Sequence, residues 1–76
     1  MKELIEFLAR SLVDNPDDVQ VEEEQDGDRV VIRLYVADGD MGKVIGKEGR
    51  IANAMRNLLK VAAARQGTRV SLEIGD

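Results

Sequence analysis

Two glycines three positions apart, Gly46 and Gly49, enclose a lysine and a glutamate where one apolar run ends and a helical pattern begins. Glycine has no Cβ, so it can adopt a positive φ and lets another backbone approach closely. A helix that begins near Arg50 leaves its first N–H groups without partners and adds partial positive charge at the same place. With Lys43, Lys47 and Arg50 beside it, such a loop suits a phosphate group. The segment therefore predicts an anion-binding loop.

The distribution of charge along the chain points to the same segment. The net charge is −4, which by itself argues against a nucleic-acid binder. Residues 1–41, however, hold four basic and twelve acidic side chains, whereas residues 42–69 hold seven basic side chains against Glu48 alone. Binding follows the local potential rather than the total charge. Ordinary solvated lysines and arginines on a helix explain this pattern equally well, and the coincidence with the glycine loop favours an anion site.

The composition limits the function classes. The chain of 76 residues has room for one core, so we expect a single domain over residues 1–76. It contains no cysteine and no histidine, which excludes disulfides and thiolate metal sites and removes the commonest metal ligand and general base. Ser11, Thr68 and Ser71 have no histidine to activate them, so we expect no enzyme, no cofactor and no metal, although carboxylate or lysine catalysis stays open.

Hydropathy favours a cytoplasmic protein without a membrane segment. No apolar run approaches the roughly 18 residues that a membrane span needs. The first six residues include Glu3 and Glu6, which argues against a signal peptide.

Other glycine-rich phosphate loops fit this sequence less well. A Walker A loop has four residues between its first glycine and Gly-Lys, followed by Ser or Thr. Here three residues separate Gly42 from Gly46, and Lys47 is followed by Glu48. The Gly-x-Gly that opens a Rossmann fingerprint is absent. A Gly-x-x-Gly also occurs in plain helix–helix turns, so the elements around it must decide.

Periodicity predicts six elements. Pro16 ends the first helix, Asp26-Gly27 indicates a hairpin, and Gly67 stops the last helix. The first helix carries Leu4, Ile5, Leu8 and Leu12 at helical spacing. The elements are a helix over residues 2–13, a short acidic strand near 19–22, a strand over 30–36, a short helix over 41–45, a helix from about 50 to 66 and a strand over 68–74. Three strands with helices on one face make a two-layer α+β domain.

Within this order of elements, the segment Val44-Ile45-Gly46-Lys47-Glu48-Gly49-Arg50 resembles the loop of a KH domain in the prokaryotic, type II arrangement. The resemblance covers essentially the whole chain and is greatest to the small stand-alone bacterial KH proteins of the KhpA family. It implies the order α-β-β-α-α-β and a non-catalytic, RNA chaperone-like function. In such domains the loop clamps about four nucleotides of single-stranded RNA by the backbone, and the bases lie in an adjacent apolar groove.

The resemblance also implies roles for the loop residues. Gly46 and Gly49 permit the turn and the close approach of phosphate. Lys47 meets phosphate oxygens as a point charge, with Lys43 and Arg50 flanking it.

Glu48 repels phosphate, so it should point to solvent or cap the following helix. Ile45 should line the base groove and Asn53 should meet a base edge; the alternatives are that Ile45 is plain core and Asn53 is solvated helix surface. Ala52 stands where many KH domains have a larger aliphatic residue, and Ile51 can supply the bulk. The candidate RNA-binding residues are Lys43, Ile45, Gly46, Lys47, Glu48, Gly49, Arg50 and Asn53.

The long helix has an apolar arc of roughly 200°, wider than packing on one sheet requires. One stripe at 100° per residue is expected to cover the sheet. It consists of the line Ile51, Met55, Leu58 and Ala62, widened by Ala52, Leu59 and Ala63. Either Leu58 and Val61 pack on the first helix, or Ala54, Leu58 and Val61 form a dimer interface. The resemblance implies a homodimer, a heterodimer with a larger Jag-type KH protein, or both.

A second hypothesis belongs to a different functional class. The acidic half and the wide arc also suit a protein-interaction adapter in which the Gly-x-x-Gly loop is only structural. Binding of RNA at two salt concentrations distinguishes the two.

Overall fold

A computed structural model describes residues 1–75, in which helices and strands follow the order α-β-β-α-α-β. They are α1 (Lys2–Leu12), β1 (Gln20–Asp26), β2 (Arg29–Tyr35), α2 (Met41–Ile45), α3 (Arg50–Gln66) and β3 (Arg69–Gly75). Short 3₁₀ turns lie at Pro16–Asp18, Asp38–Asp40 and Lys47–Gly49. The predicted α+β class and order of elements are confirmed. No helix among residues 1–75 is long and apolar enough to cross a bilayer.

The three strands form one mixed sheet with β2 in the middle. β1 pairs antiparallel with β2 through a two-residue turn, in which Gly27 has a φ of 64°. β2 pairs in parallel with β3, with Ile32 opposite Leu72. β1 extends to Asp26 and is therefore longer than predicted, because the backbone ladder continues past its apolar residues where the side chains are acidic and exposed.

The two faces of β2 differ in their side chains, although Val31 on the same face as Arg33 is also buried. Val30, Ile32 and Leu34 are buried in the core under the helices. On the other face, Arg33 forms ion pairs with Glu24 at 3.3 Å and Glu73 at 3.2 Å, across both neighbouring strands. The buried cluster draws on all six elements: Ile5, Ala9, Val19, Val21, Val30, Ile32, Leu34, Val36, Val44, Met55, Leu59 and Leu72.

The apolar stripe of α1 is confirmed in part. Ile5 and Ala9 are the buried residues of this helix, and Leu8 is partly buried against the core, whereas Leu4 and Leu12 are 36% and 39% exposed. Leu4 and Leu12 therefore lie at the edge of the stripe, because α1 packs on β1 and the small Ala9 faces the core. The predicted end before Pro16 is confirmed.

The stripe of α3 is confirmed, but its centre is shifted. The buried residues all belong to the predicted stripe: Ala52, Met55, Leu59 and Ala63. Ile51 and Ala62 are half-buried at its edges, whereas the placement of Leu58 on the sheet was wrong, since the small Ala52 and Ala63 face the sheet on either side of Met55 and Leu59.

Leu58 is 47% exposed and Val61 is 56% exposed, so the alternative that α1 buries them is also wrong. Gly67 ends the helix in the left-handed region with a φ of 70°, as predicted.

A buried carboxylate joins the end of α1 to the start of α2. Asp40 is only 1% exposed. It accepts hydrogen bonds from the backbone N–H of Asp14 at 3.2 Å and of Asn15 at 3.0 Å, and from the Asn15 side chain at 3.0 Å. Lys43 Nζ lies 3.7 Å from the same carboxylate. Burial alone would raise the pKa of Asp40, but these hydrogen bonds and the lysine outweigh it and hold the pKa below its usual value.

Candidate nucleic-acid interface

The loop between α2 and α3 reverses direction through residues with positive φ. Gly46 has φ 78° and ψ 173°, a conformation essentially restricted to glycine. Gly49 has φ 76° and ψ 15°. Glu48 also lies in the left-handed region, at φ 58° and ψ 23°, which L-residues other than Asn and Asp seldom adopt. The two glycines are therefore required by backbone geometry, and Glu48 occupies a strained position between them.

Close packing adds a second requirement at Gly46. A Cβ on Gly46 would lie 2.7 Å from Cγ1 of Ile51 and 3.0 Å from its Cβ. Ile51 thus supports the loop from the first turn of α3. At Gly49 the nearest atom to such a Cβ is Asn53 Nδ2 at 3.9 Å, so conformation rather than space selects glycine there.

The hydrogen bonds of the turn use only some of its N–H groups. The N–H of Gly46 donates to Gly42 O at 2.9 Å, that of Gly49 to Gly46 O at 3.1 Å, and that of Arg50 to Lys47 O. The N–H groups of Lys47 and Glu48 take no part in these bonds. No side chain caps the N-terminus of α3, so its dipole adds positive potential at the loop.

Lys47 is the exposed cation of the loop. Within residues 1–75 it forms no ion pair, whereas Arg50 Nη2 lies 3.6 Å from Glu48 Oε2 with both side chains largely exposed. An ion pair this exposed contributes little. Of the two expectations for Glu48, exposure to solvent agrees with the structure, and capping of α3 does not.

Lys43 is paired with two carboxylates, although its side chain is 42% exposed. Its Nζ lies 3.0 Å from Asp14 Oδ2 and 3.7 Å from Asp40 Oδ1. The hydrogen bond and the charge of Asp14, followed by the charge of Asp40, raise the pKa of Lys43. Its ammonium is thereby neutralised locally, and this ion pair competes with the predicted phosphate contact.

The remaining predicted residues flank the loop. Ile45 is half-buried and packs against the core. Asn53 is exposed one turn into α3, where its Oδ1 accepts a hydrogen bond from Arg56 Nη1 at 3.4 Å. No cluster of three or more acidic, histidine or cysteine side chains able to hold a metal occurs in the described part of the chain.

A groove runs between α3 and the edge strand β3. Its first hollow, of about 240 Å³, is lined by Arg56, Leu59, Lys60, Val70, Ser71 and Leu72. Arg56 Nη2 donates a hydrogen bond to Leu72 O at 3.3 Å, so this guanidinium spans the groove from helix to strand. Ile45 and Asn53 are not among the lining residues.

Comparison with known proteins decides the family. The KhpA/KhpB KH-domain profile matches residues 2–74. The chain belongs to this family. The chain is similar to the RNA-binding protein KhpA of Halalkalibacterium halodurans, 53% identical over the full length of both chains. It is also 53% identical to RNA-binding protein KhpA of Clostridium acetobutylicum, over 97% of this chain and 99% of that protein. The protein of the same name from Chlamydia trachomatis is 46% identical, over 97% and 95%. No solved structure matches.

In this KhpA/KhpB-family chain, the sequence reasoning missed two groove residues. Arg56 and Lys60 were counted in the basic segment but not assigned to the site. The available signal was their i, i+4 spacing, which places both on one flank of α3. Because β3 follows α3 directly and pairs at the sheet edge, that flank faces the groove.

The residues predicted for a dimer interface lie on the other flank. Ala54, Leu58 and Val61 are all exposed. At 100° per residue, Val61 lies about 140° around the helix from Arg56. In this family member, α3 therefore presents a buried stripe with a cationic flank on one side and an apolar exposed flank on the other.

Proposed function

We propose that the protein is a non-catalytic binder of single-stranded RNA, with the phosphate backbone at Gly46–Gly49 and the bases in the groove between α3 and β3. The observation that carries this proposal is Lys47, an exposed cation without an ion-pair partner within residues 1–75. It lies in a glycine turn at the uncapped N-terminus of a long helix. Backbone donors and positive potential converge there, as an anion requires.

The loop supplies the phosphate contact. Glycine at 49 leaves the backbone open to close approach, and glycine at 46 permits the turn and the packing of Ile51 behind it. Lys47 meets phosphate oxygens and Arg50 adds a second cation, since its exposed contact with Glu48 is readily exchanged. Lys43 adds to the positive electrostatic potential around the loop while it remains paired with Asp14.

The groove supplies the surface for the bases. Leu59, Val70 and Leu72 give it an apolar floor, and Arg56 adds a planar cation on which a base can stack. Ile45 packs against the core and supports the end of the groove nearest the loop. Asn53 offers hydrogen bonds to a base edge. Few aromatic side chains are available in this chain, so aliphatic contacts and Arg56 replace aromatic stacking.

The names of the relatives support this function, since those described above are called RNA-binding proteins. An RNA chaperone-like action in the cytoplasm, in which strands are bound weakly and released, fits a groove that contacts few nucleotides. It requires no catalytic group.

Salt dependence tests the proposal. If two or three phosphates are neutralised, log K falls against log salt with a slope of about −1.4 to −2.1. Affinity for an eight-nucleotide oligouridylate should then drop roughly sevenfold to twentyfold between 50 and 200 mM salt. Fluorescence anisotropy measures this, with an RNA duplex as the comparison. A slope near zero, or equal affinity for the duplex, would favour the adapter hypothesis, in which the loop is only structural.

We further propose that Ala54, Leu58 and Val61 form a protein interface, either in a homodimer or with a larger Jag-type KH protein. The supporting observation is that Leu58 and Val61 are about half exposed. Large apolar side chains grouped on one helix flank are typical of an interaction surface.

The change Val61→Asp is expected to convert a dimer into a folded monomer. Across a two-fold axis it sets two carboxylates against each other, and their desolvation opposes association. In the monomer the carboxylate faces water, so the melting temperature should change little. Sedimentation velocity checks the mass, with Gln20→Glu on β1 as an exposed control of equal charge change away from α3. A wild-type chain that is monomeric at high concentration, or equal dissociation by both variants, would refute this interface.

A further inference from the structure

A second hollow continues the groove toward the C-terminal end of α3. It has a volume of about 300 Å³ and is lined by Lys60, Ala63, Ala64, Thr68, Arg69 and Val70. Lys60 and Val70 also line the first hollow, so the two adjoin. At about 1.5 Å per residue, Thr68 lies roughly 25 Å from Arg50. This hollow is therefore the part of the groove farthest from the glycine loop.

Its polar side chains suit an anionic strand. Lys60 forms no ion pair among the described residues. Arg69 Nη2 lies 3.2 Å from Asp28 Oδ1, but their side chains are 72% and 69% exposed. An exposed pair of this kind is worth little and can be exchanged for another anion. None of the lining residues is acidic.

Thr68 provides an independent observation. Its Oγ1 is buried and has no hydrogen-bond partner within residues 1–75, while its N–H donates to Ala63 O at 2.9 Å. Native proteins rarely leave a buried hydroxyl unpaired, because its desolvation is uncompensated. Thr68 lines the hollow, and rotation about its Cα–Cβ bond can turn the buried hydroxyl toward a molecule bound there, which would supply the missing partner.

We propose that an RNA strand held at the glycine loop continues through the first hollow into the second, so that the domain binds more than four nucleotides. Four stacked nucleotides span only about 10 Å, well short of Thr68. Lys60 and Arg69 contact phosphates of the added nucleotides, and Thr68 Oγ1 bonds to a ribose hydroxyl or base edge. The inference rests on the proposed function, because the strand must first be held at the loop.

The test is a length series of labelled oligouridylates of four, six, eight and ten nucleotides, measured by fluorescence anisotropy. A site that contacts only four nucleotides should bind the eight-nucleotide strand fivefold more tightly than the four-nucleotide strand, because the longer strand offers five registers. We expect a gain roughly tenfold beyond that factor, because added phosphates are contacted. The extra gain should vanish in Arg69→Gln and shrink in Thr68→Val, with affinity for four nucleotides unchanged. Arg65→Gln, an exposed control of equal charge outside the hollow, should keep it.

The outcomes separate this inference from the proposed function. A gain no larger than fivefold, with binding still lost when Lys47 is reversed to aspartate, overturns the extension alone. Equal losses in Arg69→Gln and Arg65→Gln also overturn it. Failure of the wild type to bind any length overturns both proposals. Thr68→Val should fold at least as well as the wild type, since it removes an unpaired hydroxyl; if it does not, the exposed Arg69→Gln decides.

Discussion

Replacing Lys47 and Glu48 together with aspartate is expected to remove most RNA binding and leave the fold intact. Lys47 is exposed, so reversing its charge turns an attraction of about 1 kcal/mol at 4 Å in water into a repulsion of similar size. That corresponds to a loss of roughly 30-fold in affinity. Glu48 has a φ of 58°, a region that aspartate tolerates better than glutamate, so the second change places no added strain on the turn.

The measurement is anisotropy with an oligouridylate, paired with a thermal melt. Arg10→Asp changes the net charge by the same amount on α1, outside the loop, and should cost little affinity. Similar losses in both variants would mean that binding follows net charge alone. Unchanged affinity in the loop variant, with a normal melting curve, would mean that RNA binds at another surface.

Gly46→Ala should have the largest effect on stability. The new Cβ meets Ile51 Cγ1 at 2.7 Å, and alanine must adopt φ 78° and ψ 173°. The strain in such a region and the overpacking each cost about 1–3 kcal/mol, so we expect a loss of roughly 3 kcal/mol. For a domain of this size that lowers the melting temperature by more than about 10 °C.

The matched control is Gly42→Ala, four residues earlier within α2. No atom lies within 4 Å of a Cβ there, and alanine favours a helix interior by up to about 1 kcal/mol. The control should therefore melt at or above the wild-type temperature. Adding Ile51→Ala to Gly46→Ala removes the Cγ1 contact, but it keeps a Cβ 3.0 Å away and loses the packing of Ile51 against the core, so it should not restore stability. If Gly46→Ala melts with the wild type, the loop does not adopt this conformation.

Local patterns predicted most of the fold. The bounds of α3 and its end at Gly67 follow from helical periodicity and from the positive φ that glycine accepts. The sites of chain reversal at Gly27 and Gly46 follow for the same reason. The side of α3 that faces the sheet also follows, but the exposure of Leu58 does not, because Leu58 and Leu59 are adjacent and alanines surround both. Which leucine faces the sheet depends on how closely the helix approaches it, and Ala52 and Ala63 determine that.

The loop residues at 46–50 were predicted from their types and order, whereas the environment of Lys43 was not. Its partners Asp14 and Asp40 belong to different parts of the chain, and the burial of Asp40 depends on a contact across about 26 residues of sequence. Arg56 and Lys60 became candidates only when β3 supplied the second wall of the groove. Contacts between distant segments leave no periodic signal.

The carboxylate of Asp40 makes the connection between α1 and α2 dependent on acidity. Because its pKa is lowered in the folded state, the stabilisation is present above the ordinary aspartate pKa of about 3.9 and is lost as the pH falls through the lower folded value. Acidic pH therefore destabilises the connection between α1 and α2, which leads into the glycine loop, whereas neutral pH leaves it intact. Truncation should weaken the same connection. A chain that began after Asn15 would leave the buried carboxylate of Asp40 without these hydrogen-bond donors. The N-terminal segment therefore stabilises the start of α2 and the loop that follows it, and its removal should destabilise the candidate site.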